Sequence, residues 1–215
     1  MTELLIYGIL ETLYMTIFST ALAYILGLPI GVILHITSKD GILKNKYINS
    51  TLGVIVNLLR SVPFIILLIA IMPFTRFLLG TTLGSTATVV PLVISAAPFV
   101  ARMVESSLSE VDKGVIEASQ SMGSNTIQII FKVLLPEAKP SLIIGSAITI
   151  TTILGYTTMA GFVGGGGLGA IAINYGYYRY DSLTMLITVI LLVIIVQIFQ
   201  EVFMAIAKKT DKRIN

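Results

Sequence analysis

Few residues of this sequence could do chemistry, and their types exclude several kinds of site. There is no Cys and only one histidine, His35, so neither a thiolate metal site nor a cluster of His ligands can form. The long apolar stretches hold neither an Asp pair nor a Ser–His pair at depth, which a protease acting within the membrane would need. We therefore expect no catalytic residue and no metal ligands in this chain, which argues against a membrane enzyme.

The glycine run at 164–169, GGGGLG, satisfies the spacing G-x-G-x-x-G through Gly164, Gly166 and Gly169. A dinucleotide fingerprint follows a β-strand within a βαβ unit, with an acidic residue further on, whereas this run follows an apolar stretch. The pattern G-x-x-x-x-G-K-[ST] is also absent, so the chain has no ATP-binding loop of its own. We interpret the run as a flexible or tightly packed turn, and a role in gating is the alternative.

Hydropathy defines the class of protein. Of the 215 residues, 55% are hydrophobic and 12% charged, with a mean hydropathy of +0.95, whereas a soluble domain carries roughly 25% charge. A helix of ~20 apolar residues crosses the hydrocarbon of a bilayer. We expect an all-α integral membrane protein, a single domain over 1–215. Five stretches are long enough to span: about 13–36, 52–74, 83–101, 142–162 and 183–203.

Basic residues orient these spans. With the N-terminus outside, the inner segments hold 12 of the 14 Lys and Arg residues, and the outer segments hold only Arg76 and Arg179. Cytoplasmic loops carry an excess of Lys and Arg, so the sequence predicts an N-out, C-in topology. Because the basic residues gather on no single segment, we expect no nucleic-acid partner. The inner residues are Lys39, Lys44, Lys46, Arg60, Arg102, Lys113, Lys132, Lys139, Lys208, Lys209, Lys212 and Arg213.

The predicted spans contain no Asp, Glu, Lys or His at depth. Carriers coupled to protons or sodium usually place such residues inside the membrane, because a costly buried charge is kept there for function. An ion-coupled carrier or channel therefore remains only an alternative. If the protein transports a solute uphill, we expect the energy to come from another subunit.

The segment 117–136, EASQSMGSNTIQIIFKVLLP, is a polar island that the charge count places in the cytoplasm. A helix over 109–122 is predicted to end at Gly123, which tolerates the left-handed conformation common at helix ends. Asn125 and Gln128 have the spacing of a capping box. They open a second helix over 127–135, which Pro136 should end. By 3–4 spacing, its apolar face is predicted to comprise Ile127, Ile130, Phe131 and Leu134.

The same segment resembles the ATPase-docking signature of ATP-binding-cassette (ABC) importer permeases. That signature is Glu-Ala-Ala, three residues, Gly, nine residues, Ile, any residue, Leu-Pro. Ser119 replaces the second Ala and Val133 replaces Ile. The matching residues are Glu117, Ala118, Gly123, Leu135 and Pro136. Segments at 57–68 (NLLRSVPFIILL), 96–104 (AAPFVARMV), 132–140 and 155–180 extend the resemblance to the permease subunits of bacterial D/L-methionine ABC importers.

That resemblance implies a type I ABC importer permease in the cytoplasmic membrane of a bacterium, a homodimer of five-span subunits. Each subunit would have a coupling loop at about 105–140. Its coupling residues Glu117, Ala118, Ser119, Gly123, Leu135 and Pro136 would contact one of two ATPase subunits, which bind the ATP and Mg²⁺ that this chain does not. An external substrate-binding lipoprotein would deliver methionine for transport by alternating access. Because importers share the signature, another amino acid or small solute remains the alternative cargo.

Small and polar residues follow one face of the fourth span. Gly145, Thr149, Thr152, Tyr156 and Met159 recur at spacings of three and four, which places them on one side of a helix. Small residues favour helix–helix packing in membranes. The stripe therefore indicates either packing or the lining of a translocation path, with Met159 near a constriction.

Tyrosines gather just before the fifth span, on the predicted outer side: Tyr175, Tyr177, Tyr178 and Tyr180. Tyrosine is enriched at both membrane interfaces, so one interpretation is an aromatic belt in contact with membrane lipid. The other is a surface that receives an external partner or substrate.

Overall fold

The architecture is all-helical. The computed structural model describes residues 1–210, and no β-strand occurs within that range. Lys212 and Arg213, which contribute to the predicted charge asymmetry, lie outside the described residues, as does the end of the predicted domain. The helices are α1 (Thr2–Thr37), α2 (Lys46–Ser61), α3 (Phe64–Ala70), α4 (Met72–Leu79), α5 (Ser85–Ser109), α6 (Lys113–Ser121), α7 (Thr126–Ile129), α8 (Leu135–Glu137), α9 (Lys139–Ala160), α10 (Gly167–Ile171) and α11 (Ser182–Thr210).

Short turns of other helical types adjoin these helices. A 3₁₀ turn, Gly161–Val163, follows α9. Two wider π-helical turns occur at Ile130–Leu134 and Ala172–Tyr177. A π turn accommodates an extra residue per hydrogen-bonded ring, so it changes which side chains share a face.

Among the described residues, four helical segments are long and apolar enough to cross a membrane: α1, α5, α9 with its 3₁₀ turn, and α11. Together α2 and α3 pass the same test, but the chain bends by 99° between them. Pro63, with φ −58° and ψ 134°, precedes α3 at this bend, and a proline both removes an amide donor and disfavours helical backbone before it. The stretch 52–74, expected to be one continuous span, is therefore divided among α2, α3 and α4.

The described chain packs as two compact units. The first unit comprises Met1–Ala23, Val62–Ala96 and Ile148–Glu201. One buried cluster of this unit joins Leu154 of α9, Leu168 and Ile171 of α10, and Ile195 of α11, with apolar side chains of α1 packed against it. Burial of apolar side chains therefore draws residues distant in sequence into one core.

The second unit comprises Tyr24–Ser61, Ala97–Ala147 and the described residues from Val202 onward. Here Leu34 of α1, Val56 of α2 and Ala101 of α5 form a buried cluster. A Cβ on Gly27 of α1 would lie 2.6 Å from the carbonyl oxygen of Ala97. Small residues allow this close approach of helix backbones, the means by which membrane helices gain packing energy.

We expect Gly27→Ala to lower the thermal stability of the protein. The added methyl group would also lie 2.7 Å from Cβ of Val100, so α1 and α5 would have to separate. Overpacking of this kind should lower the free energy of unfolding by about 1–3 kcal/mol. The measurement is the unfolding midpoint of purified protein in detergent.

Gly155→Ala is the matched control, because Gly155 is helical too and a Cβ there would meet no heavy atom within 4 Å. Its midpoint should stay constant or rise, since alanine favours a helix over glycine by about 1 kcal/mol. An equal loss of stability in both variants would contradict the packing role of Gly27.

Candidate functional site

The polar segment singled out from the sequence folds as two helical pieces joined at Gly123. We call residues 112–137 the elbow. Oδ1 of Asp112 accepts a 2.7 Å hydrogen bond from the amide of Gly114 and caps α6. The predicted helix over 109–122 is wrong at its start, because α5 ends at Ser109 and Asp112 adopts the extended backbone of a helix N-cap.

Gly123 ends α6 in the predicted manner. Its φ is +81°, in the left-handed region that favours glycine. The amides of Gly123 and Ser124 donate to the carbonyl oxygens of Gln120 and Ser119, at 2.9 and 3.1 Å. These bonds satisfy carbonyl groups at the end of the helix, so the turn is fixed by hydrogen bonds.

The predicted capping box is confirmed. Oδ1 of Asn125 accepts from the amide of Gln128, and Oε1 of Gln128 accepts from the amide of Asn125, both at 2.9 Å. Two amides at the start of the second piece are thereby satisfied reciprocally. The elbow thus has a defined beginning, bend and restart.

The apolar face predicted for the second piece is wrong. Ile129 and Leu134 are the buried residues, whereas Ile127 and Phe131 are each 67% exposed. The π turn from Ile130 to Leu134 breaks the regular 3.6-residue spacing on which the prediction rested. Pro136 does not end the helix either, because α8 continues through it to Glu137.

Large apolar side chains are exposed on the elbow. Met122 is 78% exposed, and Ile127 and Phe131 are each 67% exposed. Large apolar side chains left exposed in a polar segment indicate a place where another molecule binds. We call Met122, Ile127 and Phe131 the elbow surface.

The six predicted coupling residues all lie on the elbow but differ in exposure. Glu117, Ala118, Gly123 and Pro136 are exposed, Leu135 is half-buried and Ser119 is buried. Within residues 1–210 the Glu117 carboxylate makes no hydrogen bond or ion pair. Ser119 instead helps to build the elbow, since its carbonyl oxygen accepts from Ser124.

The glycine run forms a tightly held turn in the first unit. Gly164, Gly166 and Gly167 have φ values of +85°, +81° and +73°. A Cβ on Gly169 would lie 2.5 Å from Cα of Thr158, and one on Gly161 would lie 2.6 Å from the amide nitrogen of Ala170. The glycines therefore permit both the backbone conformation and the close approach.

Helix α1 secures this turn from one side. Oε2 of Glu11 accepts a 2.8 Å hydrogen bond from the amide of Gly167, and Oγ1 of Thr12 accepts a 2.9 Å bond from the amide of Leu168. Sequence reasoning missed Glu11, because the predicted first span began at residue 13 whereas α1 begins at Thr2. Because Glu11 and Gly167 are 156 positions apart in the sequence, no local pattern indicates this contact.

Sequence reasoning also missed a polar cluster in the second unit. Arg102 of α5 forms an ion pair with Glu105 and donates to the carbonyl oxygen of Gly53 of α2 at 3.0 Å. Nδ1 of His35 lies 3.3 Å from Oγ of Ser109. These contacts link α5 to α1 and to α2, so we interpret the cluster as part of helix packing.

The small and polar stripe of α9 does not face one environment. Thr149 is fully buried and Gly145 is also buried, with Cβ space at Gly145 limited by Met103. Thr152 is half-buried, Tyr156 stacks on Phe64 with ring centroids 4.5 Å apart, and Met159 is 46% exposed. Periodicity alone could not make this distinction, since both kinds of residue share the spacing.

The tyrosine-rich segment ends at the cap of α11. Tyr177 and Tyr178 are well exposed, and Tyr180 is 89% exposed with φ +57°. The hydroxyl and the amide of Thr184 both donate to the carboxylate of Asp181. These bonds, the one from the hydroxyl most of all, hold the pKa of Asp181 below its usual value. Both interpretations of the tyrosines remain predictions.

Among residues 1–210, no group of three or more His, Cys, Asp or Glu side chains could hold a metal ion. The fold is that of an all-helical protein whose long helices could cross a membrane.

Comparison with known proteins identifies the family. The profile described as "Binding-protein-dependent transport system inner membrane component" matches residues 27–209. The chain belongs to this family.

Its relatives include proteins named as methionine permeases. A Vibrio cholerae protein named "Probable D-methionine transport system permease protein MetI" is 50% identical over 212 residues, covering 99% of this chain and 94% of the relative. A Pasteurella multocida protein of the same name is 47% identical, covering 98% and 97%. The Escherichia coli (strain K12) "D-methionine transport system permease protein MetI" is 48% identical over 161 residues, 75% of this chain and 74% of the relative.

Two solved structures share the fold. One, titled "Inward facing conformations of the MetNI methionine ABC transporter", superposes with a TM-score of 0.97 at 46% identity, covering 99% of this chain and 98% of that chain. The other, "Crystal structure of an amino acid ABC transporter with histidines", has a TM-score of 0.80 at 20% identity, covering 97% and 94%. The type I ABC importer permease fold expected from the sequence is thereby confirmed as an all-helical architecture.

We expect Asn125→Ala to loosen the second piece of the elbow. Loss of an N-cap typically costs about 1 kcal/mol. Amide exchange over residues 126–130 should therefore accelerate on the order of fivefold in hydrogen–deuterium exchange followed by mass spectrometry. Gln120→Ala is the control, because the Gln120 side chain is exposed and makes no hydrogen bond within residues 1–210. Equal exchange in both variants would show that the capping box does not hold the elbow.

Proposed function

We propose that this chain is the permease subunit of an ABC importer that moves methionine, both D and L, across the bacterial cytoplasmic membrane. The observation that carries the proposal is the 46% sequence identity to the MetNI methionine ABC transporter across 99% of the chain, with a TM-score of 0.97. Relatives that match nearly end to end are named as D-methionine permeases.

Another amino acid is the second candidate cargo. An amino acid ABC transporter only 20% identical to this chain shares its fold with a TM-score of 0.80. One architecture therefore serves sequences that differ widely, and fold alone does not select the solute. The case for methionine rests on sequence identity.

The elbow is the proposed contact with the ATPase. Its hydrogen-bonded ends make it rigid, and Met122, Ile127 and Phe131 offer apolar area to a partner. A rigid element can transmit the rigid-body motions that alternating access requires. In this proposal each of two permease copies contacts one of two ATPase subunits, which bind and hydrolyse ATP with Mg²⁺, and an external lipoprotein delivers the solute.

The translocation path is proposed to include Thr152, Tyr156 and Met159 of the first unit. These are the members of the stripe with side-chain surface still exposed. Gly145 and Thr149 are buried within the chain itself, so they fit the packing interpretation. Met159 offers a flexible apolar side chain, which suits a constriction that closes without fixing a charge.

An N-out, C-in topology is proposed for five spans, with the bent α2–α3 pair counted as one. The chain contains no Cys, so single cysteines can report each side. Tyr180→Cys should react with an impermeant thiol reagent added to intact cells, and Lys132→Cys only after permeabilisation. Labelling of Lys132→Cys from outside would overturn the proposed topology.

Uptake tests the transport function. Purified permease, reconstituted with its cognate ATPase and binding protein, should accumulate labelled methionine only with ATP, and unlabelled D- or L-methionine should compete. Competition by other amino acids alone would assign a different cargo. Uptake by the permease without ATPase or ATP would reject the ABC mechanism.

Phe131→Ser should reduce both co-purification of the ATPase and uptake, because it removes apolar area from the elbow surface. Truncating a central aromatic contact typically costs about 2 kcal/mol or more, so we expect affinity to fall on the order of thirtyfold. Lys132→Ser changes the adjacent exposed residue and is the control. If both variants behave alike, Phe131 is not the contact.

A further inference from the structure

The end of α1 and the start of α2 enclose a basic pocket in the second unit. Its cavity has a volume of ≈ 700 Å³. Three lysines line the cavity and no acidic residue does. Asp40 is close in sequence, but it does not line the cavity. Its Oδ1 forms an ion pair with Nζ of Lys113 at 3.8 Å. The lining residues are Thr37, Ser38, Lys39, Lys44, Asn45, Lys46, Asn49 and Ser50.

The two asparagines that line the pocket already make hydrogen bonds within the chain. Nδ2 of Asn49 donates to the carbonyl oxygen of Leu34 at 2.6 Å, and Oδ1 of Asn45 accepts from the amides of Tyr47 and Ile48 at 3.1 Å. In contrast, the lysines that line the pocket are exposed and make no ion pair within residues 1–210. Their ammonium groups are therefore the donors left for a ligand, which must be an anion.

Exposed apolar side chains also lie along α2, on the helix face next to the one that lines the pocket. Tyr47 is 87% exposed, Val54 is 54% exposed and Leu58 is 64% exposed. Spacings of seven and four place these residues on one helical face. Together with α3, this helix passes the length and hydropathy test for a membrane span. A ligand that used both features would have an anionic head and an apolar tail.

We propose that the basic pocket binds the phosphate-bearing headgroup of an anionic phospholipid, whose acyl chain lies along Tyr47, Val54 and Leu58. Basic pockets at the ends of membrane helices suit phosphate headgroups, since lysine offers strong, mobile donors. Free phosphate would use the lysines and leave the apolar face uncovered. An acidic protein surface would likewise not require an apolar track along a spanning helix.

Native mass spectrometry of the detergent-purified permease–ATPase complex tests this site, with phosphatidylglycerol and phosphatidylcholine as probes. Each lysine near a membrane surface contributes about fivefold to binding of an anionic lipid. Combining Lys39→Gln, Lys44→Gln and Lys46→Gln should therefore lower phosphatidylglycerol retention on the order of a hundredfold. Phosphatidylcholine retention should not change. Inorganic phosphate in excess should not displace the phosphatidylglycerol.

Lys139→Gln, Lys208→Gln and Lys209→Gln together form the control, because they remove the same charge from exposed positions outside the pocket. Lys→Arg at the three pocket positions should preserve binding. If the triple glutamine variant does not fold, each single glutamine variant should still lose retention. Equal loss in pocket and control variants, or displacement by phosphate, would overturn the site. Release of the ATPase with unchanged lipid retention would assign the pocket to the partner instead.

Discussion

Backbone polar groups inside a bilayer must find their partners within the protein, because no water is available there. Long helices meet this demand internally, but turns do not. The glycine turn shows the solution. Glu11 and Thr12 accept from the amides of Gly167 and Leu168 on one side. On the other side, the amide of Gly84 donates to the carbonyl oxygen of Gly164 at 2.8 Å. The presence of Glu11 in α1 is therefore explained by its hydrogen bond to the turn and does not require ion coupling.

Hydrogen bonds also fix the two ends and the bend of the elbow. Asp112 caps its first helix, Gly123 closes that helix, and Asn125 opens the next piece. With its ends fixed, the elbow presents Ile127 and Phe131 outward at little further cost in conformational entropy. A preorganised apolar surface of this kind suits binding to a subunit that must pull on it.

Local features could be predicted from the sequence. Gly123 and the pair Asn125–Gln128 act through bonds to residues at most four positions away, so their types and order suffice. The prediction of the apolar face failed because it assumed a uniform 3.6-residue helix, whereas residues 130–134 form a π turn. The division of the α9 stripe, with Thr149 buried and Met159 exposed, depends on which neighbours pack against each turn. Those neighbours come from distant parts of the chain.

The sequence alone predicts a helical membrane protein, a polar segment that bends at Gly123, and a resemblance to ABC permeases. Composition and short-range order are enough for each of these. Only the tertiary structure decided the roles of Glu11 and Arg102, the bend before α3 and the enclosure of the basic pocket. Each of these depends on where packing places residues in space, and hydrophobic burial sets that placement through the whole chain at once.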